Sequence, residues 1–189
     1  SKNVASLIFD TMGIFWTMSH PNEKEQELLK NWDIKSKKLQ VNIFVPLGMV
    51  DEYKDLGIPV TKGFAFNAND LSYDDWSSTF GLEILNPAAI VIQRAIADLK
   101  EEKKEFDIDE IIERIKNERE ASEDSKLAAA NLFEAAKTWG IFMKGKGKGI
   151  LSEELIEGGK TSILDLSAYS STATFNVRAL VVALVTKKL

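Results

Sequence analysis

An apolar run of strand length, Ala5-Ser6-Leu7-Ile8-Phe9, closes on Asp10, and Gly13 follows three residues later. In a parallel α/β sheet such a run puts a carboxylate at the C-terminal end of a strand, the end at which ligands bind. The glycine lets the backbone turn sharply straight after it. A buried strand that opens the chain with no element before it leads us to expect a piece of a nucleotide-handling domain, with further elements upstream.

The 189 residues are enough for one good core, or a core with a small subdomain. The chain has no cysteine, which excludes disulfides and cysteine-based metal sites and favours a cytoplasmic location. Its one histidine, His20, leaves no histidine cluster for a metal; it lies in Met18-Ser19-His20-Pro21-Asn22, which reads as a solvated turn. A net charge of -5 argues against a chain that wraps nucleic acid by itself, although local basic patches remain open. No signal peptide is visible, and the longest apolar run, 179–185, is too short to cross a bilayer.

Strands are expected at 4–9, at 39–45 (closed by Pro46 and Gly48), at 63–67 and at 162–166. Helices are expected at 22–32 and 50–56, and then in an almost wholly helical stretch. That stretch starts from Ser72 as N-cap with Asp75 at N3. It continues from Pro87, from an Asp107-Ile108-Asp109-Glu110 cap, and from Ser122 or Ser125 to a stop at Gly140. A short helix at 151–156 and a final one at 174–189 bracket the last strand. The expected fold is therefore α/β with an inserted helical subdomain: residues 1–70 and 143–189 form the two parts of the core, and 71–142 the insertion.

Several motifs carry two readings. Gly158-Gly159-Lys160-Thr161 resembles a phosphate-binding loop only superficially: Glu154 stands where the first glycine is required, and a helix precedes while a strand follows. We expect a tight turn there. The lysines of Lys144-Gly145-Lys146-Gly147-Lys148-Gly149 could meet DNA phosphates, or the segment could be a mobile linker; no aromatic residue is interleaved to stack on bases. Asp10 is either a working carboxylate or the cap of its turn. Asp165 lies inside its strand and needs a partner if buried. Asp74 and Asp75 read as residues of a helix start, not as a metal site.

Two segments together resemble the HerA/FtsK superfamily of archaeal and bacterial ATPases. Asp10-Thr11-Met12-Gly13-Ile14-Phe15 is similar to the family's Asp-Pro-x-Gly-Glu-Tyr motif, with Thr11 in place of proline and Ile14 in place of glutamate. Gly159-Lys160-Thr161-Ser162-Ile163-Leu164-Asp165-Leu166-Ser167 is similar to the strand that shortly precedes the family's acidic Walker B strand, and a helix with Arg178 follows it. The path from 63 to 81 also fits the usual route from core to helical insertion. The resemblance implies a partial RecA-like P-loop core lying between Walker A and Walker B. It also implies Asp10 and Gly13 on the γ-phosphate side of a nucleotide site, and Arg178 as either a finger toward a neighbouring subunit or a plain surface arginine.

No Gly-x-x-x-x-Gly-Lys-Ser/Thr occurs in the chain. Phosphoryl transfer needs that loop as well as the carboxylates for magnesium. The resemblance thus implies ATP and magnesium as cofactors of a larger parent, and none for this piece alone. Under this first reading the chain is an internal piece of an ATP-driven DNA translocase or helicase, with DNA as partner, a homohexameric assembly and Lys144, Lys146 and Lys148 as candidate DNA contacts. A second reading is a non-catalytic module on an α/β scaffold that presents its helices to a protein partner. A third, a small enzyme using Asp10 as acid or base, has no nucleophile paired with a base to support it.

Overall fold

The structure, a computed structural model, describes residues 3–102, 105–145, 147, 149, 152–171 and 175–189. Lys146 and Lys148, two of the three lysines singled out above, lie outside the described residues.

Four strands, β1 (Ser6–Asp10), β2 (Val41–Pro46), β3 (Lys62–Phe64) and β4 (Thr161–Asp165), form one sheet in the order β1-β4-β2-β3. Every pairing is parallel, as expected for apolar runs separated by long crossovers. The register sets Ile8 beside Ile163 and Asp10 beside Asp165, so two strands end on carboxylates at the same edge.

Alternation along the strands builds two cores, because successive side chains leave a strand on opposite faces. Ile43, Val45 and Ile163 face one side, where they meet Tyr53 of α2 (Val50–Asp55) and the half-buried Trp16 and Met18. Phe44 and Leu164 face the other and join a continuous cluster with the helices. Those helices are α3 (Tyr73–Phe80), α4 (Pro87–Glu102), α5 (Ile108–Lys116), α6 (Glu123–Lys137) and α8 (Phe175–Lys188), while α7 (Ser152–Leu155) is a single turn. At its centre Trp76 is fully buried, with ring centroids 4.8 Å from Phe133 and 5.5 Å from Phe80.

The helix starts are local chemistry. Ser72 and Asp75 form a reciprocal capping box, as do Asp107 and Glu110. Of the two serines that could begin α6, Ser122 is the cap, its Oγ accepting from Ser125 N at 3.2 Å. Before β4 the chain makes the tight turn expected, Lys160 N donating to Glu157 O at 3.0 Å.

Two boundaries differ from expectation for one reason. α6 stops at Lys137 and the third strand stops at Phe64, because the chain leaving α6 docks alongside Phe66. Phe66 N donates to Ile141 O at 2.7 Å and Met143 N donates to Phe66 O at 2.9 Å. This return is possible because Gly140 abuts Gly48: Gly48 N donates to Gly140 O at 2.9 Å, and a Cβ on Gly48 would stand 2.7 Å from Gly140 Cα. A third difference concerns α1 (Gln26–Asn31), shorter than the expected 22–32 and without a buried residue. A helix in a parallel crossover ordinarily covers the sheet. Here α2 with Trp16 and Met18 does so, and α1 is left in solvent.

Candidate functional site

The carboxyl ends of β1 and β4 carry a buried, hydrogen-bonded polar cluster. Asp10 and Asp165, register partners, are both 0% exposed. Each is held by the turn that its own strand runs into. Asp10 Oδ1 accepts from Met12 N at 3.1 Å and Gly13 N at 2.8 Å, while Oδ2 accepts from Phe15 N at 2.8 Å. Three backbone donors thus satisfy one buried carboxylate and fix the loop 10–15 on it. Asp10 thus caps its own turn.

Asp165 is organised differently. Its Oδ1 accepts from Ser167 N at 2.9 Å, Ser167 Oγ at 2.7 Å and Tyr53 Oη at 3.0 Å. Its Oδ2 is buried with no hydrogen-bond partner. Burial pushes the Tyr53 hydroxyl up to about 12, and the Asp165 charge adds to the rise while the Ser167 hydrogen bond opposes it. Tyr53 therefore stays a neutral donor throughout the physiological range.

Gly13 joins the two halves. Its φ is +67°, in the left-handed region that a side chain disfavours, and a Cβ there would stand 2.6 Å from Ser167 Oγ and 3.7 Å from Asp165 Oδ2. The loop after β1 is thereby seated directly on the turn after β4. Asp10 and Gly13, named from the sequence, are together; Tyr53 and Ser167 were not named. Ser167 is legible in hindsight, since Asp-x-Ser at a strand end forms a local turn. Tyr53 has no such signal.

The other candidates lie apart. Arg178 is half-buried in the first turn of α8, its Nε buried without a hydrogen-bond partner, and it makes no hydrogen bond to Asp10 or Gly13. Lys144 is exposed and lies near Asp107, Asp109 and Lys137 at the start of α5 and the end of α6. His20 is exposed and meets Ser19 Oγ at 2.9 Å. Asp75 caps α3 and pairs with Lys187 at 2.6 Å. Among the described residues no group of three or more His, Cys, Asp or Glu is placed to hold a metal ion, and no helix is long and apolar enough to cross a membrane.

Compared with known families, the chain matches the model described as "Helicase HerA, central domain" over residues 1–188. No curated protein matches it.

Proposed function

This chain belongs to the family of the HerA helicase central domain, a HerA/FtsK-type P-loop ATPase family, and we propose from that membership that it is the part of an ATP-driven DNA translocase or helicase lying between the phosphate-binding loop and the magnesium-binding strand. Its parallel four-stranded sheet flanked by helices is consistent with a RecA-like P-loop core.

The observation that carries the proposal is the Asp10–Gly13 loop. It is rigidly seated at the carboxyl edge of a parallel sheet, where nucleotides bind in such folds. The state of β1 supports it further. Among the described residues β1 pairs only with β4, and its Leu7, Ile8 and Phe9 are half-buried, whereas Ile43, Phe44, Ile163 and Leu164 are buried. An apolar parallel strand with one open edge is built to receive another strand. On this reading the phosphate loop and the acidic strand come from outside the 189 residues.

The residues present do not by themselves fit Mg-ATP. The sequence has no phosphate loop, and Asp10 spends both oxygens on backbone amides. No step of hydrolysis is assigned to this chain alone. In the assembled enzyme, a homohexamer acting on DNA, the Asp10 loop forms one wall of the nucleotide site. Arg178 offers a guanidinium toward a neighbouring subunit.

The test is calorimetric titration of Mg-ATP into this chain and into a form extended on both sides to include the phosphate loop and the acidic strand. Binding by the longer form only, with magnesium dependence, supports the proposal. Binding by the short form overturns the division of labour, and binding by neither removes the ATPase reading. A second reading, docking of a protein partner on the helices, is favoured by one observation. Ile84 and Leu85, consecutive in the α3–α4 connection, are 80% and 86% exposed.

A further inference from the structure

The crossover from β1 to β2 carries a feature that the proposed nucleotide site does not use. Residues 20–40 are exposed except Leu29 and Ser36, which are half-buried. The segment Lys30-Asn31-Trp32-Asp33-Ile34-Lys35-Ser36-Lys37-Lys38 holds four lysines and one acid, in a chain whose net charge is -5. None of these lysines has an ion-pair partner among the described residues; Lys24, Lys54, Lys100, Lys116 and Lys144 share that state, so what sets the segment apart is that Lys35, Lys37 and Lys38 all follow within six residues of Trp32. Trp32, which ends α1, is 74% exposed, the most exposed tryptophan of the four. Unpaired cations and a solvent-facing indole on an arm that contributes nothing to either core have no structural role to explain them.

We propose that this arm binds single-stranded nucleic acid, with Trp32 stacking on a base and Lys35, Lys37 and Lys38 meeting the phosphates. Phosphates are recognised by clustered lysines and bases by an aromatic face, and the two together on one exposed stretch suit a single strand. The glycine-lysine segment at 144–149 has the charge but no aromatic residue. A cavity of about 500 Å³ beside α1 is lined by Lys30, Lys35 and Ser36 together with Glu27 and Asp33. The two carboxylates can accept hydrogen bonds from the exocyclic amino groups of cytosine, adenine or guanine, and the exposed Trp32 offers a ring face on which such a base stacks. The inference rests on the motor reading only in giving the bound strand a purpose.

The experiment is fluorescence anisotropy of a labelled oligodeoxycytidylate at neutral pH, titrated with the chain across a salt series. Phosphatidylserine–phosphatidylcholine vesicles and a duplex of the same length serve as competitors. The expected result is binding that weakens with salt and competes poorly with vesicles. The Lys35→Gln/Lys37→Gln/Lys38→Gln variant should flatten the log–log salt slope by about 2, since each phosphate contact on a single strand contributes about 0.7. Trp32→Ala should weaken binding about 5- to 100-fold with the slope unchanged. All four side chains are exposed, so circular dichroism should show an unaltered fold. No binding by the wild-type chain, equal binding by the lysine variant, or preference for vesicles each overturns the inference. None of these outcomes bears on the ATP titration, so failure of the arm and failure of the motor reading are told apart.

Discussion

Gly13 and Ser167 approach so closely that no side chain fits between them: a Cβ on Gly13 would lie 2.6 Å from Ser167 Oγ and 2.9 Å from Ser167 Cβ. Gly13→Ala therefore meets two penalties, a left-handed backbone and a collision. Together they should lower unfolding free energy by about 2–4 kcal/mol. A double-mutant cycle with Ser167→Gly, followed by urea denaturation, separates them, because the collision is relieved and the backbone term is not. Strict additivity of the two changes would show that the contact is not a constraint.

Asp10→Asn keeps one acceptor oxygen where two are used. If the amide oxygen retains Met12 N and Gly13 N, the amide nitrogen is left facing Phe15 N, donor against donor. The loss of a charge-assisted bond and the unsatisfied donor should cost about 2 kcal/mol. Hydrogen exchange at Phe15 should accelerate while exchange in α4 changes only with global stability. An unchanged Phe15 amide would mean that Asp10 does not hold the loop.

Alkaline stability should report on Tyr53. Its hydroxyl is raised to about 12 in the folded state, chiefly by burial, against 10.0 when free. The folded protein thus binds the proton more tightly. The contribution is full below pH 10 and is lost as pH rises toward 12. Burial also raises Tyr169, which will add its own alkaline loss in the same direction. Tyr53→Phe should flatten the fall in stability above pH 10 without abolishing it, measured by chemical denaturation at a series of pH values. A profile parallel to wild type would place the alkaline loss elsewhere.

At the acid end the sensitive group is Asp75. Partial burial opposes its ionisation, but hydrogen bonds from Lys187 and Ser72 outweigh this and hold its carboxyl below the ordinary 3.8. Its contribution is present above that value and disappears as pH falls through the lower folded one. Asp75→Asn should reduce stability near neutrality and make the remaining acid dependence shallower. Thermal melts between neutral and strongly acidic pH check this, and an acid limb as steep as wild type would contradict it.

The legible parts of the fold share a physical scale. The strands show as continuous or alternating apolar runs, and Ser72, Asp107 and Ser122 show as caps because each bonds a backbone amide three residues away. The Asp10 turn is equally local, its carboxylate reaching only as far as Phe15. Gly140 reads as the stop of α6, and the helix does end shortly before it, at Lys137; what the local pattern does not show is that Gly140, at φ +70°, also lets the returning chain pass Gly48. The stretch 22–32 reads as one helix with acidic residues near its start, whereas α1 occupies only Gln26–Asn31. Nothing within those residues says whether a core lies beneath them.

By itself the sequence determined a parallel α/β scaffold, the four stretches that form its strands, its helix caps and the pairing of an aspartate with a glycine after β1. All of these depend on side-chain period and on hydrogen bonds spanning a few residues. Only the tertiary structure decided that Tyr53 would donate to Asp165 across 112 positions, that Gly13 would rest on Ser167, and that Trp32 and its lysines would be left in solvent. Those contacts are set by which strands become neighbours and which face of each is already covered, and no local pattern encodes that choice.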